Sequence, residues 1–201
     1  MYCVFCLALL LLIGCQTSYK FSRAQKSLIM EDDAQAPMRV FKITNYADSV
    51  LLRTPSEPVL VDADDPILNT LIDRLFATVR DSMSLGVGIA APQVGILKDV
   101  IWVQRFDKEN LPFELYLNPE IMEYSVEKLP CREGCLSIPE RIDTTYSRSE
   151  TIRISYSNLN NEHITETVSG FTAVIFQHEI DHLNGIIYLD HLEDEIKQTG
   201  E

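Results

Sequence analysis

The longest regular pattern of apolar positions lies between residues 65 and 83. Asp65 and Pro66 suit the N-cap and the first turn of a helix. Apolar side chains then recur every three or four positions, at Leu68, Leu71, Ile72, Leu75, Phe76, Val79 and Met83. This period predicts an amphipathic helix that buries one face and lies on the outside of its domain.

Three short runs further along the chain are rich in β-branched and aromatic residues. They cover residues 100–103, 114–117 and 152–156, and polar, turn-like segments separate them. We predict a β-strand for each run.

A second helical period covers residues 171–183. Three apolar residues form a stripe along it: Phe171, Val174 and Ile175. His178 and His182 continue the stripe at the same spacing, so both imidazoles should point inward. Together these elements indicate an α+β fold, with mostly antiparallel β-sheets packed around a central C-terminal helix.

The amino terminus has the pattern of an export signal. Residues 1–19 carry no charged side chain, and residues 4–14 are almost uniformly apolar. That run is shorter than the roughly 20 apolar residues of a spanning helix. Residues 12–15, Leu-Ile-Gly-Cys, are similar to the bacterial lipobox, whose cysteine becomes lipid-modified. We predict a lipoprotein-type signal peptide over residues 1–15 and a lipid anchor at Cys15, although the usual early basic residue is missing.

Residues 16–37 are largely polar, include three consecutive acidic residues and show no sustained apolar period. They are predicted to be a linker, and the folded domain is predicted to cover residues 38–201. A second interpretation starts translation at Met38, which would delete both signal and linker. The location is left open: lipid-anchored if the signal is used, cytoplasmic if translation starts near Met38.

Composition narrows the class of protein. With 201 residues, 46% hydrophobic and 23% charged, the chain is typical of a globular protein of one domain. Its 17 basic and 30 acidic residues give a formal net charge of −13, which disfavours direct nucleic-acid binding as the main function. Three of the five cysteines lie in or at the end of the predicted signal. Only Cys131 and Cys135 belong to the predicted folded domain.

The second predicted helix carries the pattern H-E-x-x-H at residues 178–182. His178 and His182 are four residues apart, so both imidazoles share one helix face and can reach one metal ion. Glu179 would lie beside that ion, close enough to exchange a proton with a water there. Two surface histidines are the alternative, but the apolar stripe one turn earlier favours burial.

A catalytic metal site of this kind needs a third protein ligand. Some zinc proteases place it six residues after the second histidine, where this chain has Tyr188. Others use a more distant glutamate, but Glu193 and Glu195 follow too closely. The third ligand is therefore expected upstream, and Cys135 offers a thiolate in a glycine-containing turn.

Three segments, residues 86–93 (GVGIAAPQ), 133–137 (EGCLS) and 177–182 (QHEIDH), resemble in order and spacing the motifs of peptide deformylase. The resemblance covers roughly residues 38–192. It implies hydrolysis of the N-formyl group from the terminal formyl-methionine of polypeptides, with release of formate. It also implies one divalent metal held by Cys135, His178 and His182, with Fe²⁺ the usual native metal and Zn²⁺, Ni²⁺ or Co²⁺ also compatible with these ligands.

The resemblance also assigns roles around the metal. Glu179 would be the general base and acid, while the Gln93 side chain and the Leu136 backbone N–H would bind the formyl oxygen. The expected substrate-binding residues are Val87, Gly88, Glu133, Arg148, Phe171, Val174 and Ile175. Three alternatives stay open for Arg148: it orients the peptide, it pairs with Glu133, or it is a surface residue.

The chain also departs from the family pattern. Family members that act at the ribosome commonly end in a basic helix, whereas residues 190–197 here are mainly acidic, which makes such docking doubtful. Cys131 could form a disulfide with Cys135, although metal binding is expected to prevail. Two other functions remain possible from the sequence: a zinc metalloprotease, or a non-catalytic lipoprotein that binds N-terminal peptides.

Overall fold

The computed structural model of the protein describes residues 19–81 and 86–199. The predicted signal peptide and Cys15 lie outside these residues, as does Met83. Among the residues described, none of the helices combines the length and the apolar composition needed to cross a bilayer.

Five helices and seven strands make up the described part of the fold. The helices are α1 (Arg23–Ile29), α2 (Tyr46–Leu52), α3 (Pro66–Arg80), α4 (Phe171–Leu183) and α5 (Tyr188–Thr199). The strands are β1 (Gly88–Ala90), β2 (Val100–Gln104), β3 (Phe113–Tyr124), β4 (Cys131–Cys135), β5 (Ile138–Thr145), β6 (Thr151–Ser157) and β7 (His163–Ser169). A 3₁₀ turn, Ala91–Val94, follows β1 directly.

The strands form two antiparallel sheets. The larger sheet has the order β1-β2-β3-β6-β7, and the smaller one consists of β4 and β5. Side chains of β2 alternate between its two faces: Val100 packs with α3, whereas Ile101 and Val103 pack with α4. The larger sheet therefore lies between the two helices, which confirms the predicted α+β fold with a central C-terminal helix.

Helix α3 confirms the first predicted element. The Asp65 carboxylate accepts a hydrogen bond from the Ile67 N–H, so Asp65 is the N-cap, and Pro66 occupies the first turn. Most of the predicted apolar face is buried, but Phe76 is 37% exposed and packs against Trp102 and Phe113.

The sequence pattern missed four strands and shortened a fifth. The predicted strand at 114–117 belongs to a strand of 12 residues, β3. Strands β4, β5 and β7 were missed because charged and polar residues fill them and much of their surface faces solvent. Strand β1 is too short, at three residues, to show a period of its own.

Part of the predicted linker is a helix that packs on the domain. Residues 23–29 form helix α1, which begins with a capping box between Ser22 and Gln25. Ile29 is fully buried against α3, and the buried Arg74 of α3 donates hydrogen bonds to the carbonyls of residues 28, 29 and 36. A seven-residue helix has too few apolar positions to show a period, so only its packing reveals it.

Candidate active site

Helix α4 brings His178 and His182 to the centre of the molecule. Gln177 fixes this helix against the segment before β6, because its side-chain amide accepts from the Ser149 N–H and donates to the Ser149 carbonyl. His182 is 1% exposed and the side chain of His178 is 11% exposed. Both imidazoles therefore point inward, as the helical period predicts.

Cys135 meets the two histidines from the end of β4. A register shift between Gly134 and Cys135 interrupts the β4–β5 ladder at this point. The Cys135 Sγ lies 3.2 Å from the His182 Nε2, and the ligand atoms of Cys135, His178 and His182 all lie within 4.8 Å of one another.

The donors at this site fit one divalent cation. Ligands at about 2.0–2.3 Å from a tetrahedral metal lie roughly 3.5 Å from one another, which is close to the observed convergence. Burial by itself raises the pKa of the Cys135 thiol, but the neighbouring His182 and His178 outweigh burial and hold it well below its usual value. The Ser137 N–H also donates to the sulfur at 3.4 Å. The site thus favours a thiolate, which is the form that binds metals.

Glu133 and Arg148 orient His178. The Glu133 Oε2 lies 2.8 Å from the His178 Nδ1, and Arg148 donates to both oxygens of Glu133 at 2.8 and 2.9 Å. Burial alone raises the pKa of Glu133, but the hydrogen bonds from His178 and Arg148 hold it below its usual range. An ionised Glu133 accepts the proton of the His178 Nδ1, which leaves Nε2 as the ligand atom.

Arg148 was predicted to bind substrate, but the structure places it in this support of His178. It is 3% exposed and also donates to Asp181, which in turn bonds with His191 of α5. Of the three alternatives for Arg148, the structure shows the ion pair with Glu133. The surface alternative is wrong, and Arg148 is not among the residues that line the cavity described below. No separate role was predicted from the sequence for Asp181 or His191, although Asp181 lies inside the H-E-x-x-H pattern.

Glu179 lies next to the metal ligands and opposite strand β1. It is 4% exposed, and no described residue bonds to its Oε2. Burial raises the pKa of Glu179 to about 7. A buried carboxylate oxygen without a protein partner is available to a water or a substrate proton.

Gln93 reaches the metal ligands from the 3₁₀ turn after β1. Its Oε1 accepts from the Ala90 N–H at 2.9 Å, which directs its Nε2 toward the Cys135 Sγ at 3.5 Å and the Ser137 Oγ at 3.4 Å.

Lys42 is a further residue near the site, and it was not predicted from the sequence. It lines the cavity described below and donates a hydrogen bond to the Leu136 carbonyl. Lys42 lies in the amino-terminal segment, outside every motif, so no sequence pattern pointed to it.

A cavity of about 780 Å³ opens above these residues. Most of the predicted site residues line it: Val87, Gly88, Gln93, Glu133, Cys135, Leu136, Phe171, Val174, Ile175, His178 and Glu179. His182 and Arg148 lie behind its wall. Strand β1 forms one edge of the larger sheet beside the cavity, because it pairs with β2 on one side only. The arrangement can hold a metal, move a proton and accept an extended peptide.

Cys131 does not pair with Cys135. Both thiols are free, and they stand at opposite ends of strand β4. Four residues of extended strand span about 13 Å, whereas a disulfide needs Cα atoms within about 7 Å. The strand itself therefore keeps Cys131 away from the site.

Comparison with known proteins gives one consistent family. The family model described as polypeptide deformylase matches residues 40–198. A peptide deformylase of Halalkalibacterium halodurans is 38% identical over 155 residues, which cover 71% of this chain and 85% of the relative. A peptide deformylase of Desulforudis audaxviator is 40% identical over 153 residues, covering 76% and 94%.

Solved structures agree with the sequence relatives. The Met-Ala-Ser-bound class I type b peptide deformylase of Acinetobacter baumannii has a TM-score of 0.69 and 35% identity, and the match covers 78% of this chain and 99% of that one. The peptide deformylase of Thermotoga maritima has a TM-score of 0.67 and 34% identity, with 77% and 97% covered.

Proposed function

The chain belongs to the polypeptide deformylase family, and from this premise we propose that it hydrolyses the N-formyl group of amino-terminal formyl-methionine in polypeptides and releases formate. The observation that carries the proposal is the convergence of Cys135, His178 and His182 beside the buried Glu179 at the base of one cavity.

Cys135, His178 and His182 would hold the metal. When bound, a divalent metal acts as a Lewis acid and lowers the pKa of a water to about 7, which makes a nucleophile available at neutral pH. We propose Fe²⁺ as the native metal from the family resemblance. Metal analysis of anaerobically purified protein tests this choice, and Zn²⁺, Ni²⁺ or Co²⁺ in its place would contradict it.

Glu179 would move the proton that the reaction requires. Its free Oε2 takes a proton from the attacking water as the C–O bond forms at the formyl carbon. As the C–N bond breaks, Glu179 delivers that proton to the leaving amine, so formate and a free amino terminus result.

Gln93 and Leu136 would stabilise charge on the formyl oxygen. The Gln93 Nε2 already points at the metal ligands, since the Ala90 N–H occupies its Oε1. The Leu136 backbone N–H follows Cys135 directly in the chain. Two donors aimed at the developing negative charge lower the barrier without any rearrangement.

Strand β1 and helix α4 would bind the peptide. Because β1 is an edge strand beside the cavity, an extended substrate can add to it by backbone hydrogen bonds. Phe171, Val174 and Ile175 offer apolar surface for the methionine side chain. Met-Ala-Ser, the peptide bound to the A. baumannii relative, corresponds to the product of formyl-Met-Ala-Ser, which makes that peptide the natural first substrate.

The test measures formate release from formyl-Met-Ala-Ser. The protein used comprises residues 16–201 and is loaded with Fe²⁺ under anaerobic conditions. We expect turnover by the wild type and a loss of about 10²- to 10⁴-fold in Glu179→Ala, the usual contribution of a general base. Metal-loaded wild-type protein that binds the peptide without turnover would instead support the peptide-binding alternative. Casein cleavage without formate release would support the metalloprotease.

We also propose that Cys15 is lipid-modified, on the basis of the lipobox-like residues 12–15. The test is labelling of the full chain with radioactive palmitate in a bacterial host, beside a Cys15→Ser variant. Label on the wild type alone is the expected result, and an unlabelled wild type would contradict the anchor.

A further inference from the structure

The outer part of the cavity contains an exposed aromatic residue. Phe171 is the first residue of α4 and is 42% exposed, whereas Val174 and Ile175, which line the same cavity, are buried. Gly170 precedes it with φ +68°, and no atom lies within 4 Å of where a Cβ at that position would be. Because Phe171 is the first residue of α4, it has no preceding helical turn to pack against.

Phe106 supports the Phe171 ring from outside the cavity. It belongs to the loop between β2 and β3, is 38% exposed and does not line the cavity. Its ring centroid lies 5.1 Å from that of Phe171, with an angle of 63° between the planes. This edge-to-face arrangement is favourable for two aromatic rings. Among the described residues, no other ring pairs with Phe171.

The loop that carries Phe106 is firmly held. Arg105 is 2% exposed and makes two hydrogen bonds each to Asp107 and Glu166, at distances of 2.7–3.1 Å. It also donates to the Tyr116 hydroxyl at 2.6 Å, and its backbone N–H donates to the Pro112 carbonyl. Phe106 thus sits between the two partners of an ion pair, and its backbone has little freedom to move.

We propose that Phe106 is a positioning residue that holds Phe171 as the outer wall of the methionine side-chain pocket. Without Phe106, the Phe171 ring is free to change rotamer and the wall opens. A methionine side chain, which is long enough to reach the wall, then loses contact area, whereas an alanine side chain loses nothing. This inference rests on the proposed function, since it concerns the substrate of that same site.

Phe106 therefore affects binding more than chemistry. It touches neither the metal ligands nor Glu179, so its removal changes interactions that the substrate makes equally in the ground state and the transition state. Such a change raises KM and leaves kcat unaltered.

The experiment compares formyl-Met-Ala-Ser with formyl-Ala-Ala-Ser on the metal-loaded protein. For Phe106→Ala we expect kcat/KM on the methionine peptide to fall about three- to tenfold through KM, the range that one aromatic pair is worth. The same constant on the alanine peptide should not change. Phe106→Leu, which keeps an apolar contact, should recover part of the loss.

Phe76→Ala is the matched control. Phe76 has a similar exposure of 37% and also packs edge-on against another ring, that of Phe113, but it lies outside the cavity lining. It should leave the ratio of the two peptides at the wild-type value. Thermal unfolding of each variant checks folding, and if Phe106→Ala does not fold, Phe106→Leu decides the question.

The outcomes distinguish a failure of the role proposed for Phe106 from a failure of the proposed deformylase function. A wild type that releases no formate from either peptide refutes the proposed function. An active wild type with an unchanged peptide ratio in Phe106→Ala, or with equal losses on both peptides, overturns the role of Phe106 alone.

Discussion

Gly88 lies so close to Glu179 that any side chain at position 88 would overlap the carboxylate. A Cβ at Gly88 would lie 2.4 Å from the Glu179 Oε1 and 2.9 Å from both its Cγ and its Cδ. Glu179 lines the cavity but is only 4% exposed, so its carboxylate would have to move away from its position beside the predicted metal ligands to relieve that overlap. The glycine therefore determines where the carboxylate stands.

Gly88→Ala should displace Glu179 and lower formate release about 100-fold, toward the effect of losing a general base. Metal binding should be retained, because the three nearest contacts of a Cβ at position 88 are all atoms of Glu179 and none belongs to Cys135, His178 or His182. The control is a double mutant: Gly88→Ala should cost nothing further in a Glu179→Ala background. Additive losses in the double mutant would show that Gly88 acts independently of Glu179.

If Gln93 binds the formyl oxygen as proposed, Gln93→Leu should lower kcat by about 10²- to 10³-fold, because that donor is lost while the side-chain volume is nearly kept. The substitution also leaves the Ala90 N–H without its acceptor, so stability should fall by about 1 to 3 kcal/mol. Measuring kcat below the unfolding temperature separates the two effects. A variant that turns over as fast as the wild type would show that Gln93 is only a structural cap.

At the scale of elements, helix α1 completes the surface of α3. It lies before residue 40, where the family match begins. It buries Ile29 and supplies carbonyl acceptors to Arg74, and the Met38 N–H donates to the Thr78 Oγ1 at 2.8 Å in a buried position. A chain that started at Met38 would place a charged amino group there.

Removing residues 16–37 should therefore lower the melting temperature by about 5 °C or more, since burying Ile29 alone contributes roughly 1.5 to 3 kcal/mol. Arg74→Met serves as the coupled variant. It should destabilise the chain from residue 16 but have little effect on the chain from Met38, in which its carbonyl partners are gone. Equal melting temperatures for the two chain lengths would mean that α1 adds nothing to the fold.

Several elements were predictable because their residues carry a local signal. Helix α3 has a cap, a proline and a complete apolar face, and α4 has a stripe that its two histidines extend. Strands β4, β5 and β7 could not be found in this way. Many of their polar residues face solvent, and only hydrogen bonding to a neighbouring strand makes them strands.

At the scale of the whole molecule, the proposed metal site joins two parts of the fold. Cys135 comes from the two-stranded sheet, whereas His178 and His182 come from α4, which packs on the five-stranded sheet. A metal ion that is bound by all three residues connects the two parts. Metal binding should therefore stabilise the folded state.

Removing the metal with a chelator should lower the melting temperature. The corresponding loss in the free energy of unfolding is about 2.7 kcal/mol, relative to protein with free metal at a hundred times its dissociation constant. Refilling with Zn²⁺ should restore the melting temperature. Glu179→Ala should keep this metal-dependent shift although it loses activity, whereas Cys135→Ser should lose the shift. A melting temperature independent of metal would contradict a site that spans the two sheets.

The sequence alone was enough to identify the family and to predict which residues would hold a metal and which would move a proton, because these depend on residue type and on spacing within single elements. His178 and His182 share a helix face wherever that helix lies. The tertiary structure alone decided which residues support them: Glu133 and Arg148 behind His178, Gly88 against Glu179, Phe106 against Phe171, and α1 against α3. These contacts join residues from different elements, and no local period or propensity encodes the distance between two elements before the chain has packed.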